Sequence, residues 1–354
     1  MKKKIVIIST ALIVLAALVL IAILCFKLVD YIKYSDFYDM ATEEFYIPDL
    51  MDGYVPQGFD YIEEEKVFLA CGYMNDEDEA SRIYVIDKDG DEYYYTELRE
   101  TDMSLNYTGH TGGIAHYGEY VYITGSTGID VFSLSDILDE NIKFTPKLAT
   151  IDTSSKYGVN PAYCFIYDNE LFVGNYHKDG DYDTPVNQHV GDNRAVMITF
   201  DLGSVYNNKN NNYYIAPNPF AVYSMPSRVQ GACVAQYEVV ENGAAVKKTS
   251  LILSTSWGME DSVLYVHDLS KIHATTLQNS KSAEMVGVSG LPVYTLGATT
   301  LVESIVAPPM SEEIVYLDGK IWIMNESASN KYIFGKFTTG NYLFSLQYPL
   351  PTEE

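Results

Sequence analysis

A repeated pattern of short strand-like stretches divides most of this sequence into five units of about 60 residues. In each unit a short opening strand and a turn precede a second stretch, and these second stretches read KVFLACGY, YVYITGS, ELFVGNYH, SLILSTSWG and KIWIMNES. A third stretch follows in each unit: RIYVIDKDG, IDVFSLS, AVMITFDL, SVLYVHDL and, from Lys331, KYIFGKF. A weaker fourth reads YYYTELRE, FTPKLATI, PFAVYSMP, LPVYTLG and YLFSLQYP. The chain is therefore expected to build one supersecondary unit five times.

Units of four short strands joined by Gly, Asn and Asp turns are what the blades of a β-propeller require. We therefore expect an all-β fold, a β-propeller of five four-stranded blades, although weak repeats leave room for a sixth. The 31 Tyr residues suit half-buried strands, where the ring packs and the hydroxyl reaches the surface. Residues 37–46 offer a further edge strand, and the Asn-rich residues 206–218 are expected to form a loop.

An uncharged apolar run occupies residues 5–26, before the repeats begin. As a helix rising 1.5 Å per residue it spans a hydrocarbon core of about 30 Å. A cleavable signal has a shorter apolar region of about 7–15 residues. Lys2, Lys3 and Lys4 favour a cytoplasmic N-terminus, although Lys27 and Lys33 weaken the asymmetry. We expect a single-pass plasma-membrane protein with an extracytoplasmic C-terminal domain; a cleaved signal and a reversed topology are the alternatives.

Three segments follow from these patterns. Residues 1–34 are expected to be a cytoplasmic tip, transmembrane signal anchor and juxtamembrane segment, residues 35–52 a linker or edge strand, and residues 53–354 the propeller domain. Residues 1–34 hold five of the 23 Lys and Arg residues and one of the 48 Asp and Glu residues. The remainder, with 18 basic and 47 acidic side chains, repels nucleic-acid phosphates and anionic lipid headgroups. Nucleic acid is therefore not an expected partner.

Four sets of residues carry a resemblance to known proteins. They are GHTGGIA from Gly109, NPAYCF from Asn160, VQGACV from Val229 with LSTSWG, and MSEEIV from Met310 with NESASNKY. Together they resemble an uncharacterised group of secreted or membrane-anchored bacterial β-propeller proteins, which implies the fold and an extracytoplasmic setting but no activity. More remotely, the scheme is similar to gluconolactonase and lactonase propellers, at the level of the fold alone.

In a propeller, the starts of the inner strands and the ends of the second strands converge on one mouth of the central channel. The ligand-binding candidates at that mouth are Gln57, Tyr73, His110, Asn160, His177, Gln230, Trp257, Glu312 and Glu326. Polar and aromatic groups around a concave mouth are typical of a binding site for a small molecule, a glycan or a peptide. The alternative is structural, since amides there can cap strand ends and hold channel water.

Catalytic chemistry has weaker support in the sequence. Glu312 and Glu326 can form a carboxylate pair for glycoside hydrolysis, and His110 or His177 can act as a base. No nucleophile elbow or HExxH motif accompanies them, and STSWG around Ser256 does not fit GxSxG. We therefore expect a tethered propeller that binds a ligand or protein without chemistry. The alternatives are a calcium-dependent hydrolase of lactones, esters or glycans, and a structural component of a surface assembly.

No cofactor is certain from the sequence, but two kinds of calcium site are open. The acidic loops DKDGDE from Asp87 and DGDYD from Asp179 offer close carboxylates, although neither completes an EF-hand. A separate site at the channel mouth uses Glu312 with Asn160. The cysteines inside predicted strands are expected to be buried thiols, with one bridge or a reactive thiol as the alternative.

Overall fold

The computed structural model describes residues 2–202, 219–272, 280–335, 338 and 340–350. Within them the short strands form five sheets around a central channel, so the predicted all-β propeller with five blades is confirmed. A sixth blade is absent from the described part of the chain. Residues 206–218, predicted as a loop, lie outside the described residues.

Each blade is ordered from an inner strand at the channel to an outer strand at the rim. Blade 1 contains β2 Tyr54–Ile62, β3 Val67–Met74, β4 Arg82–Asp87, β5 Tyr93–Arg99 and a parallel addition, β9 Phe144–Pro146. Blade 2 contains β6 Ile114–Tyr117, β7 Tyr120–Thr124, β8 Gly128–Ser133 and β10 Ala149–Asp152. Blade 3 contains β11 Pro161–Tyr167, β12 Glu170–Asn175, β13 Ala195–Asp201, β14 Pro219–Met225 and a parallel addition, β18 Val293–Thr295.

The last two blades complete the ring. Blade 4 contains β15 Val229–Glu241, β16 Ala244–Thr255, β17 Ser262–Asp268 and β19 Leu301–Ala307. Blade 5 contains β20 Ser311–Leu317, β21 Lys320–Asn325, β22 Tyr342–Gln347 and, outermost, β1 Ala41–Tyr46. The helices are α1 Lys2–Lys33, α2 Ser35–Met40, α3 Leu134–Leu138, α4 Ser154–Tyr157 and α5 Ser280–Val286, with single 3₁₀ turns at Leu50–Asp52, Val186–Gln188 and Leu269–Lys271.

Apolar side chains fill the spaces between neighbouring blades. The buried residues of the described chain form five clusters, and each cluster joins two successive blades around the ring. Cys71, Cys164 and Cys233 belong to these clusters and are buried free thiols, as predicted. The core is thus a closed ring of interfaces, which holds the inner strands in fixed positions around the channel.

The outer half of blade 5 differs from the sequence prediction. Lys331 begins a segment of turns instead of the predicted third strand KYIFGKF, whose residues 336 and 337 lie outside the described residues. The third position belongs to β22, which had been expected as the fourth strand, and β1 supplies the fourth by antiparallel pairing with β22. The N-terminal strand therefore closes the ring, a pairing between distant segments that local strand patterning does not reveal.

Irregular pairing marks the start of four inner strands. One residue bulges out of register at Gln57 in β2, at Ala162 in β11 and at Gln230 in β15, and Glu312 with Glu313 shares one partner position in β20. Bulges commonly redirect a side chain next to a functional site. Here they place equivalent residues of four blades at the same end of the channel, and they were not predicted from the sequence.

The N-terminal helix is fastened directly to the propeller. Residues Ser9–Lys33 are long and apolar enough to cross a membrane, a property that a signal sequence shares. Immediately after them, Tyr34 and Phe37 are buried in the cluster between blades 4 and 5. Phe37 meets Phe344 of β22 edge to face, with 5.7 Å between ring centroids. No long flexible linker separates the apolar helix from the domain.

Candidate functional site

A cavity of about 590 Å³ opens at the end of the channel where the inner strands begin. Its walls come from all five blades, because strand starts and strand ends meet there. The lining combines aromatic rings with amides, hydroxyl groups and charged groups, which is the ordinary composition of a small-molecule site. We call this cavity the mouth.

A carboxylate of blade 5 lies at the centre of a hydrogen-bond network in the mouth. Oε2 of Glu326 accepts hydrogen bonds of 2.7 Å from Nε2 of Gln57 and of 2.7 Å from the hydroxyl of Tyr332. Burial raises the pKa of Glu326 to about 6, although the bonds from Tyr332 and Gln57 and the charge of Lys331 oppose the rise. The group can therefore gain or lose a proton in mildly acidic solution.

A lysine lies between two tyrosines beside this network. Lys331 donates a hydrogen bond to the hydroxyl of Tyr73, and its Nζ atom lies 4.5 Å from the centre of the Tyr73 ring and 5.6 Å from that of Tyr332. The Tyr73 ring lies 4.7 Å from that of His110, measured between centroids. Although solvent reaches His110 through the cavity, the enclosing walls and the charge of Lys331 lower its pKa to about 4. His110 is thus neutral at physiological pH.

Aromatic rings form the opposite wall. Tyr182 lies 5.6 Å from Tyr176 and 6.2 Å from Trp257, measured between ring centroids. The hydroxyl of Tyr176 donates a 3.0 Å hydrogen bond to the carbonyl of Ser256, which fixes this ring against blade 4. Nζ of Lys178 lies 5.0 Å from the Trp257 ring centre. The wall offers flat apolar faces beside polar edges.

Two consecutive glutamates in β20 lie in the buried part of the channel. Glu312 is buried, its Oε1 atom accepts no hydrogen bond in the described structure, and burial followed by the nearby Glu326 and Glu313 raises its pKa. Oε1 of Glu313 accepts a 3.2 Å hydrogen bond from the amide of Ala232. Glu313 also lines a second cavity of about 400 Å³ at the far end of the channel.

Close packing explains why Glu313 fits in the channel. Gly113 directly precedes β6 and Gly231 follows the bulge of β15, and a Cβ atom at Gly113 would lie 2.8 Å from Oε2 of Glu313. A Cβ atom at Gly231 would lie 2.5 Å from the Cα atom of Glu313. The absent side chains leave room for this carboxyl group, whose pKa is raised by burial.

A histidine and two aspartates lie together in the loop between β12 and β13. Ligand atoms of His177, Asp179 and Asp183 all lie within 4.8 Å of one another, so the group can hold a metal ion. Nε2 of His177 lies 3.0 Å from Oδ1 of Asp179, and Nδ1 lies 2.9 Å from the hydroxyl of Thr184. The predicted acidic loop from Asp179 contributes two of the three, whereas His177 was predicted to line the ligand site and not to bind a metal.

The structure brings most of the predicted site residues together. The candidates that line the mouth are Gln57, Tyr73, His110, Asn160, Gln230, Trp257 and Glu326. His177 and Glu312 are buried behind that lining. No hydrogen bond joins Asn160 to Glu312 among the described residues, and the bulged residue equivalent to Gln57 in blade 3 is Ala162, two positions later.

Several residues of the mouth had no signal in the sequence. Lys331 and Tyr332 lie in a stretch whose residue pattern predicted a strand, and Tyr182 and Asp183 lie in a predicted acidic loop, so neither pair was predicted to line the mouth. Lys331 bonds to Tyr73 of blade 1, whereas Tyr332 bonds to Glu326 of its own blade. Tyr332 and Glu326 are six residues apart, and only the turns between them direct both side chains into the mouth.

Comparisons with known proteins add little beyond the fold. No family model matches the chain, and no curated protein matches it. Similar solved structures include BamB from Moraxella catarrhalis, at 8% identity and TM-score 0.33, covering 85% of this chain and 85% of that chain. RS223-β-xylosidase matches at 10% identity and TM-score 0.41, covering 86% and 93%. A protein assigned as a 6-phosphogluconolactonase from Bacteroides uniformis matches at 10% identity and TM-score 0.30, covering 75% and 62%. These likenesses carry no argument about activity.

Proposed function

We propose that this chain is a single-pass plasma-membrane protein whose extracytoplasmic propeller binds a small polar ligand at the mouth, without performing chemistry. In this proposal residues 1–34 form the cytoplasmic tip, anchor and juxtamembrane segment, residues 35–52 lead into the propeller and supply its edge strand β1, and residues 53–354 form the rest of the binding domain. A sugar or short glycan is the leading ligand class.

The composition of the mouth is the observation that supports this proposal. Tyr182 and Trp257 offer aromatic faces, while Gln57, Glu326 and Lys331 offer hydrogen-bond donors and acceptors within one cavity of about 590 Å³. A sugar has apolar C–H faces and hydroxyl groups that both donate and accept hydrogen bonds. It therefore matches both the aromatic faces and the polar groups of the mouth. Gln57 lies at a bulged strand start and Trp257 and Glu326 lie just after strand ends, so the sheets hold these three groups in place, which limits the entropy lost on binding.

Binding to the full-length chain in lipid nanodiscs tests the proposal. A panel of soluble oligosaccharides is titrated calorimetrically into wild type, Trp257→Ala and Tyr93→Ala. Tyr93 is an exposed tyrosine at the opposite end of blade 1, so it is a matched control. Saturable binding to wild type and Tyr93→Ala, with at least about tenfold weaker binding to Trp257→Ala, is expected for loss of an aromatic contact. Equal binding to all three would place the ligand elsewhere.

A calcium-dependent hydrolase is the second candidate, favoured by two neighbouring carboxyl groups of blade 5, Glu326 in the lining of the mouth and Glu312 buried behind it. A carboxyl group whose pKa is raised by burial can act as a general acid when it lies beside a second carboxyl group, as in glycosidases. This candidate requires calcium binding that is lost in Glu312→Ala. The leading proposal predicts that the mutation leaves calcium binding unchanged, because burial disfavours the ionised form of Glu312 that a metal ligand needs. Chelator-treated protein titrated with calcium separates the two.

A further inference from the structure

The distance between the apolar helix and the domain is short. Eight residues lead from Phe26, which ends the uncharged run, to Tyr34, which is buried in the core between blades 4 and 5. These residues are helical up to Lys33, so they span about 12 Å at 1.5 Å per residue. A domain tethered this closely lies at the surface of the membrane that holds the helix.

Contacts of the helix show which side of the propeller faces its apolar part. The Phe26 ring lies 6.1 Å from that of Phe334, measured between centroids. Lys33 and Tyr34 both bond to the carboxylate of Asp261, the Tyr34 hydroxyl at 2.8 Å. Phe334 lies between β21 and β22, and Asp261 lies between β16 and β17. Both loops leave the propeller at the end where the mouth opens.

Exposed apolar side chains are present on loops at this same end. Met259 is 43% exposed, Ile333 71%, Phe334 58% and Val186 80%. Phe334 contacts the helix and Met259 is two residues before Asp261, which bonds to the helix, whereas Val186 lies between β12 and β13 on the other side of the mouth. Apolar and aromatic side chains of this kind are stabilised at the boundary between headgroups and acyl chains.

From these contacts we infer that the mouth end of the propeller lies against the bilayer that holds α1, with Met259, Ile333, Phe334 and Val186 in the headgroup layer. The cavity then opens towards the membrane surface, and its ligands are molecules present at that surface. This inference rests on the proposed function only where that proposal makes α1 a membrane anchor.

The charge of the domain selects the kind of lipid surface. Residues after position 34 carry 18 basic and 47 acidic side chains, so an anionic surface repels them. Insertion of apolar side chains does not depend on the charge of the lipid headgroups. A zwitterionic phosphatidylcholine bilayer is therefore the surface on which this contact is expected.

Site-directed spin labelling of the full-length chain in phosphatidylcholine nanodiscs tests the inference. Cys25→Ser removes the exposed cysteine, and the other three cysteines are buried. Single cysteines then replace Ile333, Val186 or, as a control, Val240, which is 78% exposed at the far end of the β15–β16 hairpin. Collision with oxygen reports an apolar environment, and collision with a water-soluble nickel chelate reports an aqueous one.

A several-fold higher ratio of oxygen to nickel accessibility at positions 333 and 186 than at position 240 is the expected result. Labels at 333 and 186 that are as accessible to nickel as the label at 240 would overturn the inference. Alkaline carbonate extraction of the membranes in which the chain is expressed distinguishes the proposed anchor from the proposed orientation. If the chain stays in the membrane and the labels are aqueous, only the orientation is contradicted. If carbonate extracts the chain, the anchor is contradicted as well.

Discussion

The side chain of Gln57 in blade 1 donates a 2.7 Å hydrogen bond to Glu326 in blade 5, so the first and last blades are joined inside the mouth. The same carboxylate accepts a bond from Tyr332, which follows in the chain. The same acidic group therefore takes part both in the contact between the first and last blades and in the polar network of the site. Its protonation links the stability of the propeller to pH.

Glu326→Gln is expected to change how stability depends on pH. The pKa of Glu326 is about 6 in the folded chain, above the ordinary value of 4.5, so the folded state holds the proton more tightly than the unfolded state. Stability from this group is present below pH 4.5 and is lost as pH rises through 6, by about 2 kcal/mol. Denaturant unfolding from pH 4 to 7 measures the difference between wild type and variant, and parallel profiles would contradict the assignment.

Glu312→Gln is expected to stabilise the protein at neutral pH. Glu312 is buried with an unpartnered Oε1 atom, and Gln57 and Gln230 occupy the bulged positions equivalent to it in other blades. An amide therefore fits the site and removes the cost of a buried ionisable group, with a gain of about 1–2 kcal/mol. Unfolding at pH 7.5 measures the gain. Destabilisation by this isosteric change would mean that the carboxyl group has a partner essential to the fold.

Phe37→Ala is expected to weaken both the fold and the attachment of the helix. Phe37 is 1% exposed and packs on Phe344 of β22, next to the strand β1 that closes blade 5. Loss of a buried phenylalanine typically costs about 3–5 kcal/mol. Thermal unfolding of the full-length chain measures this, with the exposed Tyr93→Ala as the control. Equal melting temperatures would show that the contact does not hold the blade.

Cys71, Cys164 and Cys233 are expected to resist water-soluble thiol reagents until the chain unfolds. All three are buried and free, and burial raises the pKa of each thiol, which disfavours the reactive thiolate. Mass spectrometry after maleimide treatment, with and without denaturant, counts the modified residues. Modification of any of the three in the native chain would indicate local opening of an interface between blades.

The repeats in the sequence were sufficient to predict the fold and the end of the channel where polar groups converge. Gln57, Gln230 and Glu312 were found because they open the inner strand of their repeats, and the structure places each of them at a bulge. In blade 3 the same alignment selected Asn160, because nothing in the sequence distinguishes it from the bulged Ala162. Asn160 precedes β11 and Ala162 lies within it, and only the pairing register identifies Ala162 as the bulged residue.

Pairing between distant segments explains the remaining differences. The outer strand of blade 5 comes from Ala41–Tyr46, some 300 positions before its partner β22, and no local pattern reports such a pairing. The alternation around Lys331 predicted a strand, yet Lys331 and Tyr332 instead bond to Tyr73 and Glu326. One of these contacts reaches blade 1 and the other lies within blade 5, and tertiary contacts of this kind often override the local preference of strand-forming residues.

Fluorescence of Trp257 tests the central claim, binding at the mouth, most directly. The chain has two tryptophans, and Trp322 is buried in the core between blades 5 and 1, so Trp322→Phe leaves Trp257 as the only reporter. Titration of the oligosaccharide panel into this variant in nanodiscs is predicted to change the Trp257 emission saturably, with the affinity that calorimetry gives. Calorimetric binding with no change in Trp257 emission, or no binding by any member of the panel, would contradict a sugar site at the mouth.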